Sequence, residues 1–434
     1  MIMKSYTVLF GLFTVATTSV WAQADLQAPA DTRPSSADVS SQLPPTQTTP
    51  AGVDVAQSHA EAQRPFTVSA TVREQYDDNI YTTNTNKVDQ FESIIEPSFL
   101  FNYPMGEDLF SARYTFGATY YPDRAGSSFD LSHEFVARYN HSFSDRFDLE
   151  VRDRVSDSDQ PEISSGAVVN RVAGSYVNNT FTLQGTAQWA PKLSTVTTFT
   201  NDYFTYSDPT QSQLNDRDVN TLQHDFRFLL TPTLTLVAGG TYTNVGYSDD
   251  ITPAGLTNTV SRDWESETIY AGLDYNFTPQ LTAGFRAGGV VTQYDASSGS
   301  ELDPYAEVFA NWQVGARSSL NFDYTHTVAQ TDVDSYSSTL SDNFSLTARY
   351  QFTPRFSGQL QGDYNLAQNQ ADSSIIAGQG DFQENTFGIS FGLGYDLTRY
   401  LNLNMGYDYS EVDSDDSGRS YTRNQVSLGL TATY

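Results

Sequence analysis

The chain has 434 residues, 23 basic and 52 acidic, with a formal charge of −29; so acidic a surface repels nucleic acid and attracts cations. The absence of cysteine removes disulfides, thiol catalysis and lipoprotein anchoring. Tyr and Phe number 27 each, and lysine is confined to Lys4, Lys87 and Lys192, which is not the composition of ordinary globular domains.

Lys4 precedes an apolar stretch from Tyr6 to Val20. Small-residue sites follow at Val20-Trp21-Ala22 and Ala22-Gln23-Ala24. Residues 1–24 therefore read as a secretory signal peptide, whose apolar core is too short to span a bilayer. Residues 25–65, rich in Pro, Ala, Ser and Thr (SSADVSSQLPPTQTTPAG), have no periodicity and are expected to be a disordered periplasmic linker. They are too short and too polar for a folded plug of the kind a TonB-dependent transporter carries.

From Phe66 the pattern turns to short alternating segments, the first near Phe66–Gln75. FTLQGTAQW sets Phe181, Leu183, Ala187 and Trp189 against Thr182, Gln184, Thr186 and Gln188. TIYAGLDYNF, FSLTARYQF and FGISFGLGYDL repeat the arrangement, and the last segment, Tyr421–Tyr434, sets Val426, Leu428, Leu430 and Tyr434 on one parity. A period of two is the signature of a strand with one apolar face. Each apolar run approaches the ~9–11 residues of a tilted membrane strand.

The connections alternate in length. Very short ones recur at Phe143-SDR-Phe147, Trp189-APK-Leu193, Leu230-TPT-Leu234, Phe277-TPQ-Leu281, Val314-GAR, Phe352-TPR-Phe356 and Leu397-TRY-Leu401. Between them lie longer polar ones such as SDPTQSQLNDRD and EVDSDDSGR. Short turns on one side and long loops on the other predict an all-β, antiparallel up-and-down transmembrane barrel over 66–434. About 18 strands are expected, with periplasmic turns and extracellular loops. An even count returns both ends to the periplasm.

Charge decides which face meets lipid. Arg113, Arg138, Arg227, Arg286 and Arg349 fall on the polar parity, with Glu96, Glu134, Asp225, Asp274, Glu307 and Asp396. Asp323, Asp363 and Asp408 share it. On the lipid face at mid-depth each arginine would cost about 2–4 kcal/mol. These side chains are therefore expected to line a water-filled lumen and to set its selectivity, the acidic excess favouring cations. Trp189, Phe277, Trp312, Phe352, Tyr395 and Tyr434 sit at the turn ends, where a membrane girdle belongs. Pro97 and Pro304 interrupt strand patterns and predict a bulge or a strand end. The loop 367–383 carries Ile375 and Ile376, which either fold inward as a constriction or pack against neighbouring loops.

Catalytic chemistry finds little support. Gly388-Ile389-Ser390-Phe391-Gly392 matches a nucleophile elbow, but the alternation continues through it where a strand-to-helix turn is required. No histidine has metal-ligand spacing, and the acidic run Asp408, Glu411, Asp413, Asp415 and Asp416 departs from an EF-hand. That run reads as a solvated loop tip, with weak divalent-cation bridging to lipopolysaccharide phosphates as the alternative. No enzyme site, metal or cofactor is expected.

QYDDNIY (Gln75–Tyr81) and SIIEPSFLFNYP (Ser93–Pro104) resemble the putative beta-barrel porin type 2 family of Gram-negative bacteria. That family has an aromatic-Asp-Asn motif after strand one and a Pro-containing second strand. The resemblance extends over most of 66–434 and implies an outer-membrane barrel. It also implies a possible conduit for polymer, since members are often associated with exopolysaccharide export.

The expected function is a porin-like channel for ions or small hydrophilic solutes. The alternative is an exopolysaccharide export barrel, with inward Tyr270 a candidate for sugar stacking. A surface adhesin or a rim-site enzyme ranks below both. Expected partners are outer-membrane lipid and lipopolysaccharide and the β-barrel assembly machinery, with periplasmic polysaccharide-export proteins under the alternative.

Overall fold

The computed structural model describes residues 65–105, 108–124, 127–158, 175–250, 259–296, 299–331, 336, 338–369, 381–415 and 418–434. The expected leader, all of the expected linker but its last residue, His59, Ile375, Ile376 and Asp416 lie outside these residues. The first strands are β1 (Phe66–Asp77), β2 (Gln90–Met105), β3 (Asp108–Tyr120), β4 (Phe129–Ser144), β5 (Phe147–Ser158) and β6 (Tyr176–Ala190). Next come β7 (Leu193–Tyr206), the short helix α1 (Pro209–Asn215), β8 (Arg217–Thr231), β9 (Leu234–Tyr247), β10 (Trp264–Thr278), β11 (Leu281–Tyr294) and β12 (Ser300–Gly315). The last are β13 (Ser318–Gln330), β14 (Ser338–Thr353), β15 (Phe356–Asn369), β16 (Phe382–Thr398), β17 (Leu401–Ser414) and β18 (Tyr421–Thr433).

Each strand pairs antiparallel with its sequence neighbours, and β1 pairs with β18, so the 18-stranded sheet closes on itself. Closure leaves no strand edge to be satisfied in lipid. β1 continues to Asp77, two residues past its expected end, and β18 stops at Thr433. The apolar parity faces outward: Val72, Ile95, Leu222, Phe226 and Leu346 are exposed, and Ile269 is 71% exposed. A water-soluble sheet would bury such a face, and hydrocarbon does so here. The strands run to 17 residues in β16 and 16 in β2, β4, β12 and β14. Against a need for ~9–11 in the membrane, their far ends stand above it. Outward-facing Asp218, Asn220 and Glu265 lie at those ends.

The short turns repeat one construction. After β4, β6, β8, β10, β12, β14 and β16 the register shifts by one residue, as between Asn276 and Thr278. In five of the seven, a Ser or Thr at the turn entrance accepts a backbone N–H two residues on, as Thr278 does from Gln280 (3.2 Å), Thr353 from Arg355 (3.2 Å) and Thr398 from Tyr400 (3.1 Å); Ala190 and Gly315 stand there in the other two. This local side-chain bond is why the sequence reads Thr-Pro or Thr-Arg at these points.

The QYDDNIY segment joins the first strand to the last. Arg423 of β18 pairs with Asp77 at the end of β1. Asp78 accepts both the backbone and side-chain N–H of Asn424 at 2.7 Å. Buried Asn79 donates to the carbonyls of Thr83 (2.9 Å) and Thr422 (3.0 Å). The motif is a clasp over the seam where the barrel closes.

The prolines behave differently from the expectation. Pro97 makes no bulge: the β1 ladder runs through Ala70↔Pro97. Toward β3, pairing lapses after Ile95↔Ala118 and resumes in the same register at Ser98↔Thr115. Pro304 remains paired with Gly289 of β11, but the β12–β13 ladder ends at Ala306↔His326. Above it β12 pairs on one side alone, and a proline without an N–H suits that unpaired edge.

Candidate functional site

The inward parity of the wall forms the site, and its charges are largely paired to one another. On β8–β12, Arg286 reaches Glu307 at 3.1 Å and Asp274 at 3.4 Å, and Arg227 reaches Asp274 at 2.8 Å. Tyr305 donates to Glu307 at 2.8 Å, Tyr270 donates to Asp225 at 2.5 Å, and Gln223 donates to the Tyr270 oxygen at 2.8 Å. The Arg286 guanidinium lies 5.3 Å from the Phe309 ring centre. Two glycines permit this packing. Gly272 is the cross-strand partner of Arg286, and a Cβ there would strike the Phe285 carbonyl and the Arg286 side chain. A Cβ on Gly284 would strike Asp274 and Phe309.

A second paired cluster lies across β1, β2 and β18. Arg73 is 3.7 Å from Glu96, Gln75 donates to Glu92 at 3.2 Å, and Gln425 donates to Asp77 at 3.0 Å. Of these, Glu96 alone is a candidate from the sequence, although the alternation in VREQYD places Arg73 and Asp77 on the same inward parity. Arg154, which pairs with Glu134 at 2.8 Å, is a further inward charge that was not among the candidates.

The remaining inward candidates are more open. Arg138, 51% exposed, pairs with Glu150 at 2.7 Å. Arg113 is exposed and has no side-chain partner among the described residues. Arg349 donates to Gln359 at 3.0 Å, and Asp396 accepts from Asn402 at 2.9 Å. The open charges thus cluster toward the periplasmic half of the wall.

The extracellular mouth is narrowed by an element the sequence did not reveal. Above His326, β13 leaves β12 but stays paired with β14 as far as Gln330↔Ser338. Val328 packs against buried inward residues, among them Val237 and Val245 of β9, Tyr270 and Trp264 of β10, and Val290 of β11. The upper β13–β14 hairpin therefore crosses the inside of the barrel. Tyr247 donates to the Thr331 carbonyl at 3.4 Å, and the Tyr294 and Ser338 hydroxyls are 2.6 Å apart. Arg262, 1% exposed, ties three loops together. It donates to the Leu214 carbonyl beside β8 (2.6 Å) and to the Tyr336 carbonyl (3.3 Å), and it lies 4.1 Å from the Tyr247 ring centre. The expected constriction from Ile375 and Ile376 falls outside the described residues, and this hairpin supplies one from elsewhere.

On the outer face, Trp189, Phe277, Trp312, Phe352 and Tyr395 are exposed within a few residues of the short turns, and Tyr434, after β18, is 83% exposed. The outward histidines each have a polar partner. His141 meets Asp108, His326 meets Asp342 at 2.8 Å, His133 meets the Tyr114 hydroxyl at 2.8 Å, and His224 meets the Thr197 hydroxyl at 2.8 Å. No group of three or more His, Cys, Asp or Glu among the described residues is arranged to hold a metal. Gly388 to Gly392 lies straight within β16, with no elbow.

A family model described as Putative beta-barrel porin 2 matches residues 65–434. No curated protein matches the chain. Among solved structures, OpdK of Pseudomonas aeruginosa with vanillate is similar at a TM-score of 0.46 and 13% identity, covering 85% of this chain and 99% of its own. OccAB3 of Acinetobacter baumannii has a TM-score of 0.43 and 12% identity, covering 85% and 99%. OccK2 (OpdF) of Pseudomonas aeruginosa has 0.45 and 11%, covering 85% and 98%.

Proposed function

The chain belongs to the Putative beta-barrel porin 2 family of outer-membrane barrels, and from that premise we propose that it is a passive channel for small hydrophilic solutes that prefers cations. The observation that carries the preference is the balance of the inward face. Arg286 and Arg227 are consumed by Asp274 and Glu307, while Asp225, Asp323, Asp363 and Asp408 share the wall and form no ion pair among the described residues. Lumen charges at short range attract counter-ions and exclude co-ions, because the low-dielectric wall of protein and lipid focuses their field into the water-filled passage. The test is single-channel recording of the full chain in planar bilayers under a potassium chloride gradient. A reversal potential of the sign that marks potassium permeation supports the proposal. Absence of conductance, or anion selectivity, overturns it.

No observation favours polymer export over this reading. Tyr270, the inward ring proposed to stack on sugar, is 3% exposed, bonded to Asp225 and tilted against Tyr305 at 5.3 Å.

A further inference from the structure

The short turns carry a charge pattern opposite to that of the chain. In a protein of net charge −29, five of the seven register-shifted turns present a cation: Arg146, Lys192, Arg317, Arg355 and Arg399. The single acid in these seven turns is Asp145; the short β2–β3 turn, outside this set, carries Glu107 in its sequence. All five cations are exposed, and none forms an ion pair with another described residue. Four occupy one equivalent place, the third residue of the turn, and their backbones are pinned there. The carbonyls of Arg146, Lys192, Arg317 and Arg355 accept N–H bonds at 2.8 Å from Gln188, Leu229, Gln351 and Asp396 of the next hairpin.

Each cation lies a few residues beyond an outward aromatic: Phe143, Trp189, Trp312, Phe352 and Tyr395 precede them in that order. Aromatic girdles sit at the headgroup level, and long basic side chains extend from the apolar boundary toward the phosphates. At Arg355 the side chain opens onto a cleft of about 560 Å³ shared with Phe356 and Tyr395. The turns Thr231–Leu234 and Thr278–Leu281 have Thr233 and Gln280 at the equivalent place, so the rim has a neutral sector.

We infer that this rim is a docking surface for anionic phospholipid headgroups of the periplasmic leaflet, held by the five turn cations beneath the aromatic girdle. This inference stands apart from what crosses the lumen. A Lys or Arg near an anionic surface strengthens binding by about fivefold each, so the effect survives partial neutralisation and weakens with salt.

Trp189 and Trp312 stand in the girdle, whereas Trp264 is buried inside the barrel. Brominated lipid therefore reports on the rim by quenching. The full chain is reconstituted in phosphatidylcholine vesicles containing graded fractions of chain-brominated phosphatidylglycerol, and in the converse mixture. The expected result is a relative binding constant several-fold above unity for phosphatidylglycerol, falling toward unity in the variant R146Q/K192Q/R317Q/R355Q/R399Q. A charge-adding variant, T233R/Q280R, should raise it and keeps the test open if the neutral variant fails to fold. A constant of unity in the unaltered protein, or an unchanged preference in either variant, overturns the inference. So does displacement of the preference by inorganic phosphate at an ionic strength where sodium chloride leaves it intact, since the site would then be one for soluble anion.

Discussion

Replacing Arg262 by alanine should open the mouth of the channel. The guanidinium donates to two carbonyls in separate loops, Leu214 at 2.6 Å and Tyr336 at 3.3 Å, and stacks on Tyr247 at 4.1 Å. A hydrogen bond from a charged donor contributes about 1.5–3 kcal/mol, the longer of the two at the low end. The stacking adds about 0.5–2 kcal/mol. These terms are not additive, and Arg262→Ala is expected to remove about 3 kcal/mol from the arrangement holding the hairpin inward. The Val328 contacts remain. At about 1.4 kcal/mol per decade the ratio of open to narrowed mouths rises on the order of 100-fold. In single-channel recordings the variant should show larger or longer openings than the unaltered protein. Arg262→Lys, which keeps the charge but not the planar fork, should fall between them. A folded Arg262→Ala barrel with unaltered conductance and dwell times would refute the reasoning, because the hairpin would then be held by other contacts or would not limit flow.

Four further outcomes follow from other parts of the barrel. Asp78→Ala removes two bonds from Asn424 across the β1–β18 seam and should lower unfolding free energy by about 2–4 kcal/mol. The loss is read as a fall in the urea midpoint with faster amide exchange along that seam, and an unmoved midpoint would count against the clasp. Arg286→Met leaves buried Glu307 without its cation and Asp274 with Arg227 alone, and should cost about 3–5 kcal/mol. Arg113→Gln, at an exposed site, should change stability by less than about 0.5 kcal/mol yet move the reversal potential further toward cations; the opposite ranking would contradict the two environments. Burial raises the Asp263 carboxyl above its usual range, against the Tyr247 N–H bond that lowers it. The native state therefore holds this proton more tightly than the unfolded chain does. The resulting penalty is absent below the ordinary carboxylate value, grows as the pH rises from there toward the raised one, and is complete above it. Asp263→Asn should stabilise at pH 7 and lose that gain near pH ~4, as followed by thermal unfolding at both values.

Strand number, sidedness and turn placement were legible because they rest on a period-two pattern that lipid and water enforce independently on every strand. Leu346 beside Thr347, or Ile389 beside Ser390, is enough to place each face. The turns were legible because a Ser or Thr bonding its own backbone is a local event. What failed was non-local. Nothing in the spacing around Val328 says that β13 leaves β12 above Ala306, although Pro304 was a trace of it. Arg262 acts through the Leu214 and Tyr336 carbonyls, 48 and 74 residues away, and no periodicity links positions so far apart. The pairing of lumen charges was equally hidden: parity places Arg286 and Glu307 on one face, but only the register makes them neighbours. Tyr270 seemed available for sugar for the same reason.

The two charge systems are too far apart to act as one. Eighteen strands spaced about 4.8 Å apart and tilted about 40° give a circumference near ~113 Å and a backbone radius near ~18 Å. The screening length in physiological salt is about 8 Å. Cations on the outer rim of the turns are therefore screened from an ion on the axis by more than two such lengths, and lipid phosphates shield them further. Charges on the inward wall project toward the axis with no lipid between, so a permeant ion passes closer to them than to any cation of the rim. Neutralising the rim should thus leave the reversal potential in place while altering lipid preference. Altering Arg113 should do the reverse. If the rim variant shifted selectivity as strongly as Arg113→Gln, the permeant ion would be travelling near the turns rather than through the narrowed mouth, and the assignment of selectivity to the inward wall would be wrong.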